Sequence, residues 1–258
     1  MGAETTNDER AATSFPVTRW SVILSSGSRD ADDNAAHRAL AEVCRIYWRP
    51  VFACLCREGC SSEDAQDLTQ EFFRMILSTG WLQKADRSRG RFRNLLRHSL
   101  RNFLRDHARK RGAIRRGGGE PAFISWDDSI GEAPSQVRFS ARAVAAMPAE
   151  QLFDMRWAVT VAEQALHHLA EECERKGRRR LFDTLSQYLT ADSDLRYSVI
   201  AQQLGLSEAE FKRQLHVMRL RYRSLLREAV GQTVQSRAEI DDEIRHLCAA
   251  LACEPLHQ

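Results

Sequence analysis

Phe92-Arg-Asn-Leu-Leu-Arg-His-Ser-Leu-Arg-Asn-Phe-Leu-Arg-Asp-His-Ala-Arg-Lys110 is the stretch on which the reading of this chain turns. At 100° per residue it places Phe92, Leu95, Leu96, Ser99, Leu100 and Phe103 on one inward arc, while Arg93, Arg97, Arg101, Arg105 and Arg109 wind around the opposite side. The segment is therefore predicted to be an amphipathic helix. Like charges four residues apart each cost an isolated helix a few tenths of a kcal/mol, so four successive pairs oppose it by roughly 1–2 kcal/mol. A polyanion relieves that repulsion. From Arg87 to Arg116 twelve Arg or Lys residues face a single acid, Asp106, and the run ends in Arg-Arg-Gly-Gly-Gly. Nucleic acid is the expected partner, in preference to a merely solvated basic face.

The net charge of +3 conceals this segregation: the basic run contributes +11 (twelve minus one), so the rest of the chain sums to −8. A length of 258 residues with 43% apolar and 28% charged residues suits a soluble protein with one or two real cores. No apolar run is long enough to span a bilayer, and the opening MGAETTNDER is polar and acidic, unlike a signal peptide, so a cytoplasmic protein without membrane contact is expected. Seven cysteines, an odd number, argue for reduced thiols. Cys54, Cys56 and Cys60 form no CxxC pair and no metal site is expected; Cys44, Cys54 and Cys173 read as small helix residues, some of them buried. No Ser/His/Asp, Walker, Rossmann or HExxH pattern is present, so neither catalytic residues nor a cofactor are expected.

Helical spacing of apolar residues runs through most of the chain without a convincing alternating pattern or internal repeat, which predicts an all-α fold. Residues 1–15 are expected to be a disordered tail. Helical signals run from Thr18 to Ser25 and from Asn34 to Arg57, the latter kinked or split at Pro50, and from Ser61, which with Asp64 makes an approximate capping box, to Leu77. Between Gly112 and Pro148 the glycines and prolines predict a linker. A second helical block holds Leu152 to Cys173, Arg180 to Leu189 and Arg196 to Arg227. Near the end Ser236 and Glu239 form another capping box before Ile240, Ile244, Leu247 and Leu251, an apolar stripe that must dock somewhere as a brace or a regulator.

Two further constellations carry functional information. In the helix opened by Ser61, Asp64, Asp67, Gln70, Glu71 and Arg74 fall on one face, and Ala65, Leu68, Phe72, Met75 and Ile76 on the other. A carboxylate-and-amide face beside a basic helix suggests two different partners. In Tyr197-Ser-Val-Ile-Ala-Gln-Gln-Leu-Gly-Leu-Ser-Glu, followed by Phe211, Leu215, Met218 and Tyr222, Ala201 is small where helices cross, Gly205 permits a left-handed turn and Ser207 can cap the next helix. Ile200, Leu204, Leu206 and Phe211 would fill the core of this helix-turn-helix. The outward face offers Lys212, Arg213, His216, Arg219 and Arg223 to phosphates and base edges.

Together these residues resemble the extracytoplasmic-function class of bacterial sigma factors, in particular a large-linker branch, over roughly Val17 to Leu251. Glu63-Asp-Ala-Gln-Asp-Leu-Thr-Gln-Glu-Phe-Phe resembles region 2.2, Arg91-Phe-Arg-Asn-Leu-Leu-Arg through Asp106-His-Ala-Arg resembles regions 2.3 and 2.4, and Tyr197 to Arg223 resembles region 4.2. The resemblance implies a two-domain protein: a region 2 bundle over 16–111, a linker over 112–149, a region 4 helix-turn-helix over 150–232 and an amphipathic extension over 233–258. It implies core RNA polymerase (β′ clamp helices and β flap) and promoter DNA as partners, with Asp67, Gln70 and Glu71, beside Asp64, on the clamp helices. Arg93, Arg97, Arg101, Asn102, Arg105, Asp106 and Arg109 would engage the minus-ten element, and Lys212, Arg213, His216, Arg219 and Arg223 the minus-thirty-five element. Trp81 and Phe92 are candidates for stacking on extruded bases, against which stands burial in the core. The long linker and the extension depart from compact members of the class and leave open whether a separate anti-sigma protein is used. The rival reading is a helix-turn-helix regulator that binds DNA without polymerase, which leaves the acidic face without a purpose.

Overall fold

The computed structural model describes residues 33–77, 92–112, 144, 146–189, 197–234 and 236–252. Every regular element among them is helical: α1 (Asp33–Arg57), α2 (Ser62–Leu77), α3 (Phe92–Gly112), α4 (Ala149–Arg175), α5 (Arg179–Leu185), α6 (Tyr197–Gln203), α7 (Glu208–Gly231) and α8 (Ile240–Leu251), with short 3-10 turns at Ser186–Tyr188 and Arg237–Glu239. No helix among the described residues is long and apolar enough to cross a membrane. The expected tail, the Thr18 to Ser25 helix, Trp81 and residues 113–143 of the expected linker lie outside the described residues.

Among the described residues two large apolar cores and one small one are arranged along α4. The first gathers Tyr47, Val51 and Leu55 of α1, Leu68, Phe72 and Ile76 of α2, and Phe92, Leu96 and Leu100 of α3 around Phe153, Trp157 and Val161 of α4. Aromatic contacts cross it, with ring centroids 5.2 Å apart for Tyr47 and Phe92 and 5.5 Å for Phe72 and Phe103. The second places Phe182 and Leu185 of α5, Ala201 of α6, and Phe211, Leu215, Met218 and Tyr222 of α7 against Ala165, Leu169 and Cys173 of α4. One 27-residue helix, about 40 Å long, thus serves both.

This corrects the expected boundary at residue 150. Leu152, Phe153 and Trp157 belong with the first bundle, because α4 is apolar on more than one face and can bury one half of its length against each set of helices. Val144 and Met147, assigned from composition to the linker, are buried with Ala53, Leu152, Met155 and Val159, and the Met147 carbonyl accepts a 2.8 Å hydrogen bond from Arg57 Nε. The end of α7 also crosses over: Val230, together with Val234 beyond it, packs with Ile240 and Leu247 of α8 into the first core.

Local expectations fare unevenly. Ser61 caps α2, accepting from the Asp64 N–H at 3.1 Å. Pro50 sits inside α1 without splitting it. The capping box at Ser236 is not formed: its side chain makes no cap bond, because a 3-10 turn intervenes before α8 begins at Ile240. Cys54 and Cys173 are buried and Cys44 half-buried, all as free thiols, and burial pushes the Cys54 thiol up to about 12.

Candidate nucleic-acid interface

The apolar arc of α3 is where its periodicity places it, with Phe92, Leu95, Leu96, Ser99, Leu100 and Phe103 buried. Phe92 is therefore a core residue, closed against Tyr47, and is not available for stacking on a base. On the other side Arg101, Asn102, Arg105, Asp106 and Arg109 are exposed, as are Asn94 and His98. Arg109 lies 3.6 Å from Asp106 on the preceding turn.

Arg93 breaks the expectation of a uniform basic face. Its side chain is 3% exposed, and its guanidinium is shared between two carboxylates: Nη1 donates to Asp154 Oδ1 at 2.6 Å, while Nε and Nη2 donate to the two oxygens of Glu243 at 3.0 and 3.4 Å. The same group lies over the Trp157 ring, 5.0 Å from its centroid. Burial works against the Arg93 charge, but the hydrogen bond to Glu243 and the fields of Asp154 and Glu243 outweigh it and raise its pKa. Arg97 is half-buried and follows suit, donating to Asp154 Oδ2 at 3.1 Å and to Glu150 Oε2 at 2.6 Å, and Arg101 reaches the other Glu150 oxygen. Burial opposes the ionised Glu150, yet the hydrogen bond from Arg101 and the charges of Arg97 and Arg101 hold its carboxyl below the usual range. His246 of α8 completes the cluster with Nε2 3.3 Å from Asp154 Oδ2.

Glu150, Asp154, Glu243 and His246 were not singled out in the sequence. Two signals point to them. Glu150 and Asp154 are four residues apart, the spacing of the arginines they meet. Glu243 lies within about 60° of Ile240 on the helical wheel, at the edge of an apolar stripe where a carboxylate requires a buried partner.

On α2, Asp64, Asp67, Gln70, Glu71 and Arg74 are all exposed, while Ala65, Leu68, Thr69, Phe72, Phe73 and Ile76 are buried, so the division into two faces holds. The turn between α6 and α7 takes the local form expected of it. Gly205 takes φ +67°, the Leu206 N–H reaches back to the Ala201 carbonyl at 2.9 Å, and Ser207 accepts from Glu210 N–H at 3.2 Å to start α7. Ala201 and Phe211 are fully buried; Ile200, Leu204 and Leu206 pack partly against the same core.

The outward face of α7 carries Lys212, Arg213, His216 and Arg223, all exposed. Lys212 pairs with Glu208 at 2.6 Å and Arg213 with Glu210 at 2.7 Å, surface contacts that water and phosphate readily exchange. Arg219 differs: it is half-buried and donates twice to the Tyr188 carbonyl, at 3.2 and 2.9 Å, which ties α7 to the end of the preceding turn. Val217 and Leu220 stand exposed among these cations. Comparison with protein-family models, with curated proteins and with solved structures finds no match.

Proposed function

We propose that the protein is a sigma factor: it binds core RNA polymerase through α2, reads promoter DNA through α7 and holds the minus-ten strand on the exposed side of α3. Two functional units, a region 2 bundle and a region 4 helix-turn-helix, would act on separate promoter elements in the cytoplasm without catalytic chemistry of their own. The observation that carries the reading is the coincidence of three surfaces. Asp64, Asp67, Gln70 and Glu71 form an exposed acidic and amide face, Arg101, Asn102, Arg105 and Arg109 an exposed basic one, and Lys212, Arg213, His216 and Arg223 line a capped second helix of a helix-turn-helix. A duplex-binding regulator uses the third and parts of the second; it has no use for the first.

Polymerase supplies the discriminating measurement. Reversing charge with Asp67→Arg and Glu71→Arg changes exposed side chains pointing away from Leu68 and Phe72, so the helix content and melting temperature should stay as they are. Core polymerase capture should be lost. Retained capture by the folded double variant, or no capture by the unaltered protein, removes the sigma reading.

The helix-turn-helix regulator that acts without polymerase draws support from one feature. Carboxylates of α4 and α8 already occupy Arg93 and Arg97, which leaves α7 the more accessible DNA-binding face. The same capture experiment separates the two.

A further inference from the structure

Glu243 is a buried carboxylate that neither the acidic face of α2 nor the helix-turn-helix explains. It is 1% exposed and sits on α8, yet both its oxygens face Arg93, 150 positions away on α3. Along the same helix Asp154 takes Arg93 and Arg97, and Glu150 takes Arg97 and Arg101. Three of the five repeating arginines thus meet carboxylates brought to α3 by α4 and α8, apart from the contact of Arg109 with Asp106 within α3 itself. A carboxylate offers a guanidinium the same paired-oxygen geometry that a phosphate does, so each such contact occupies donors that a nucleic-acid backbone would use.

The carboxylates differ in how they are held. Glu150 and Asp154 lie in the first two turns of α4, a helix locked into the first core through Phe153, Trp157 and Val161. Glu243 comes from the last described helix, which buries only Ile240, Glu243 and Leu247 and keeps Ile244 and Leu251 partly covered. Other ties of α8 are polar as well: Asp241 pairs with Arg227 at the surface, and His246 faces Asp154. An element held in good part by ion pairs is the one that a polyanion can displace.

We propose that α8 is an intramolecular competitor for the nucleic-acid face of α3: with Glu243 seated on Arg93 the first turns of α3 are closed to phosphate, and departure of α8 opens them. The proposal rests on α3 being a nucleic-acid helix. Glu243 and His246 leave together, so Arg93 and Arg97 keep only Asp154 and Glu150, and the backbone of the bound strand competes for a pair rather than for a buried triad.

The test uses the full-length protein and a non-promoter duplex, with anisotropy titrations between 50 and 200 mM salt (probe conditions at which phosphate contacts dominate). Glu243→Gln should bind tighter at low salt, and the slope of log K against log salt should steepen by about 0.9 for each arginine released, a roughly three- to fourfold larger loss of affinity across that range. Asp242→Asn removes the same charge from the exposed side of α8 and should keep the original slope. Adding Arg93→Gln to Glu243→Gln should abolish the gain. Equal effects of Glu243→Gln and Asp242→Asn, or a gain that survives loss of Arg93, overturn the proposal. Hydrogen exchange on the unaltered protein gives an independent reading: saturating duplex should lower protection of the α8 amides while α4 keeps its own. Unchanged α8 protection in bound protein overturns the competitor while leaving α3 as a DNA-binding helix, whereas absence of duplex binding by every variant overturns both.

Discussion

The energetics of Arg93 follow from its burial. Taking a guanidinium and a carboxylate out of water costs several kcal/mol each, which is recovered only when geometry and extra hydrogen bonds are good. Here Arg93 meets two carboxylates and the Trp157 ring, and Asp154 is shared with Arg97 and His246. Removing one member leaves another uncompensated. Arg93→Met, which takes the guanidinium away from a Glu243 carboxylate at 1% exposure, is expected to destabilise the protein by about 3–5 kcal/mol. Pairing it with Glu243→Met should recover on the order of 2 kcal/mol of that loss, since the buried carboxylate that Arg93 faced is gone. Urea unfolding of both singles and the double gives the cycle; additive losses would show that the two residues do not share one charge environment.

At the scale of the element, α6 and α7 depend on a turn with two special positions. A Cβ added at Gly205 meets nothing within 4 Å, so the cost of Gly205→Ala is the left-handed backbone alone, about 1 kcal/mol. Ser207→Ala removes the cap on Glu210 N–H and should cost a similar amount, about 1 kcal/mol. Chemical denaturation checks both, and a loss several times larger at Gly205 would mean that the turn is crowded. The joint between α4 and α7 has a different control. Arg221 donates to both oxygens of Glu172, at 2.9 and 2.5 Å, and this hydrogen bond, opposed by some burial and aided by the Arg221 charge, lowers the Glu172 pKa below its ordinary 4.5. A lowered carboxylate pKa contributes stability that is present above the ordinary value and lost as pH falls through the folded one. Glu172→Gln should therefore reduce the melting temperature at pH 6, and the gap to the unaltered protein should narrow as pH is lowered below 4.5; a gap that does not narrow with acidification would assign the effect to something other than this charge.

For the whole molecule the decisive feature is that α4 carries both cores. Phe153 and Trp157 close the first, Leu169 and Cys173 the second, and no break in the helix separates them. Unfolding either core exposes half of α4, so the two are coupled and the protein is expected to melt in one cooperative transition. Calorimetry tests this through the ratio of calorimetric to van't Hoff enthalpy, which should be near one. Two resolved endotherms would mean that α4 parts between Val161 and Ala165 and that the cores unfold independently.

What the sequence determined by itself lies in periodicity and in special backbone positions. The inward arc of α3, the two faces of α2, the left-handed Gly205 and the Ser61 and Ser207 caps all depend on residues within about one or two turns, and local spacing specifies them. Only the tertiary structure decided which charged residues leave water. Arg93 falls beside Leu100 on the helical wheel, at the margin of the apolar arc, and whether such a residue faces solvent or core depends on what packs over it. The covering residues, Asp154 and Glu243, lie 61 and 150 positions further along the chain. The same holds for α4, whose several apolar positions announce burial without saying that one half serves each core. Burial of an ion cluster is a property of helices brought together from distant parts of the chain, and it is settled by the balance of desolvation against pairing at the point where they meet.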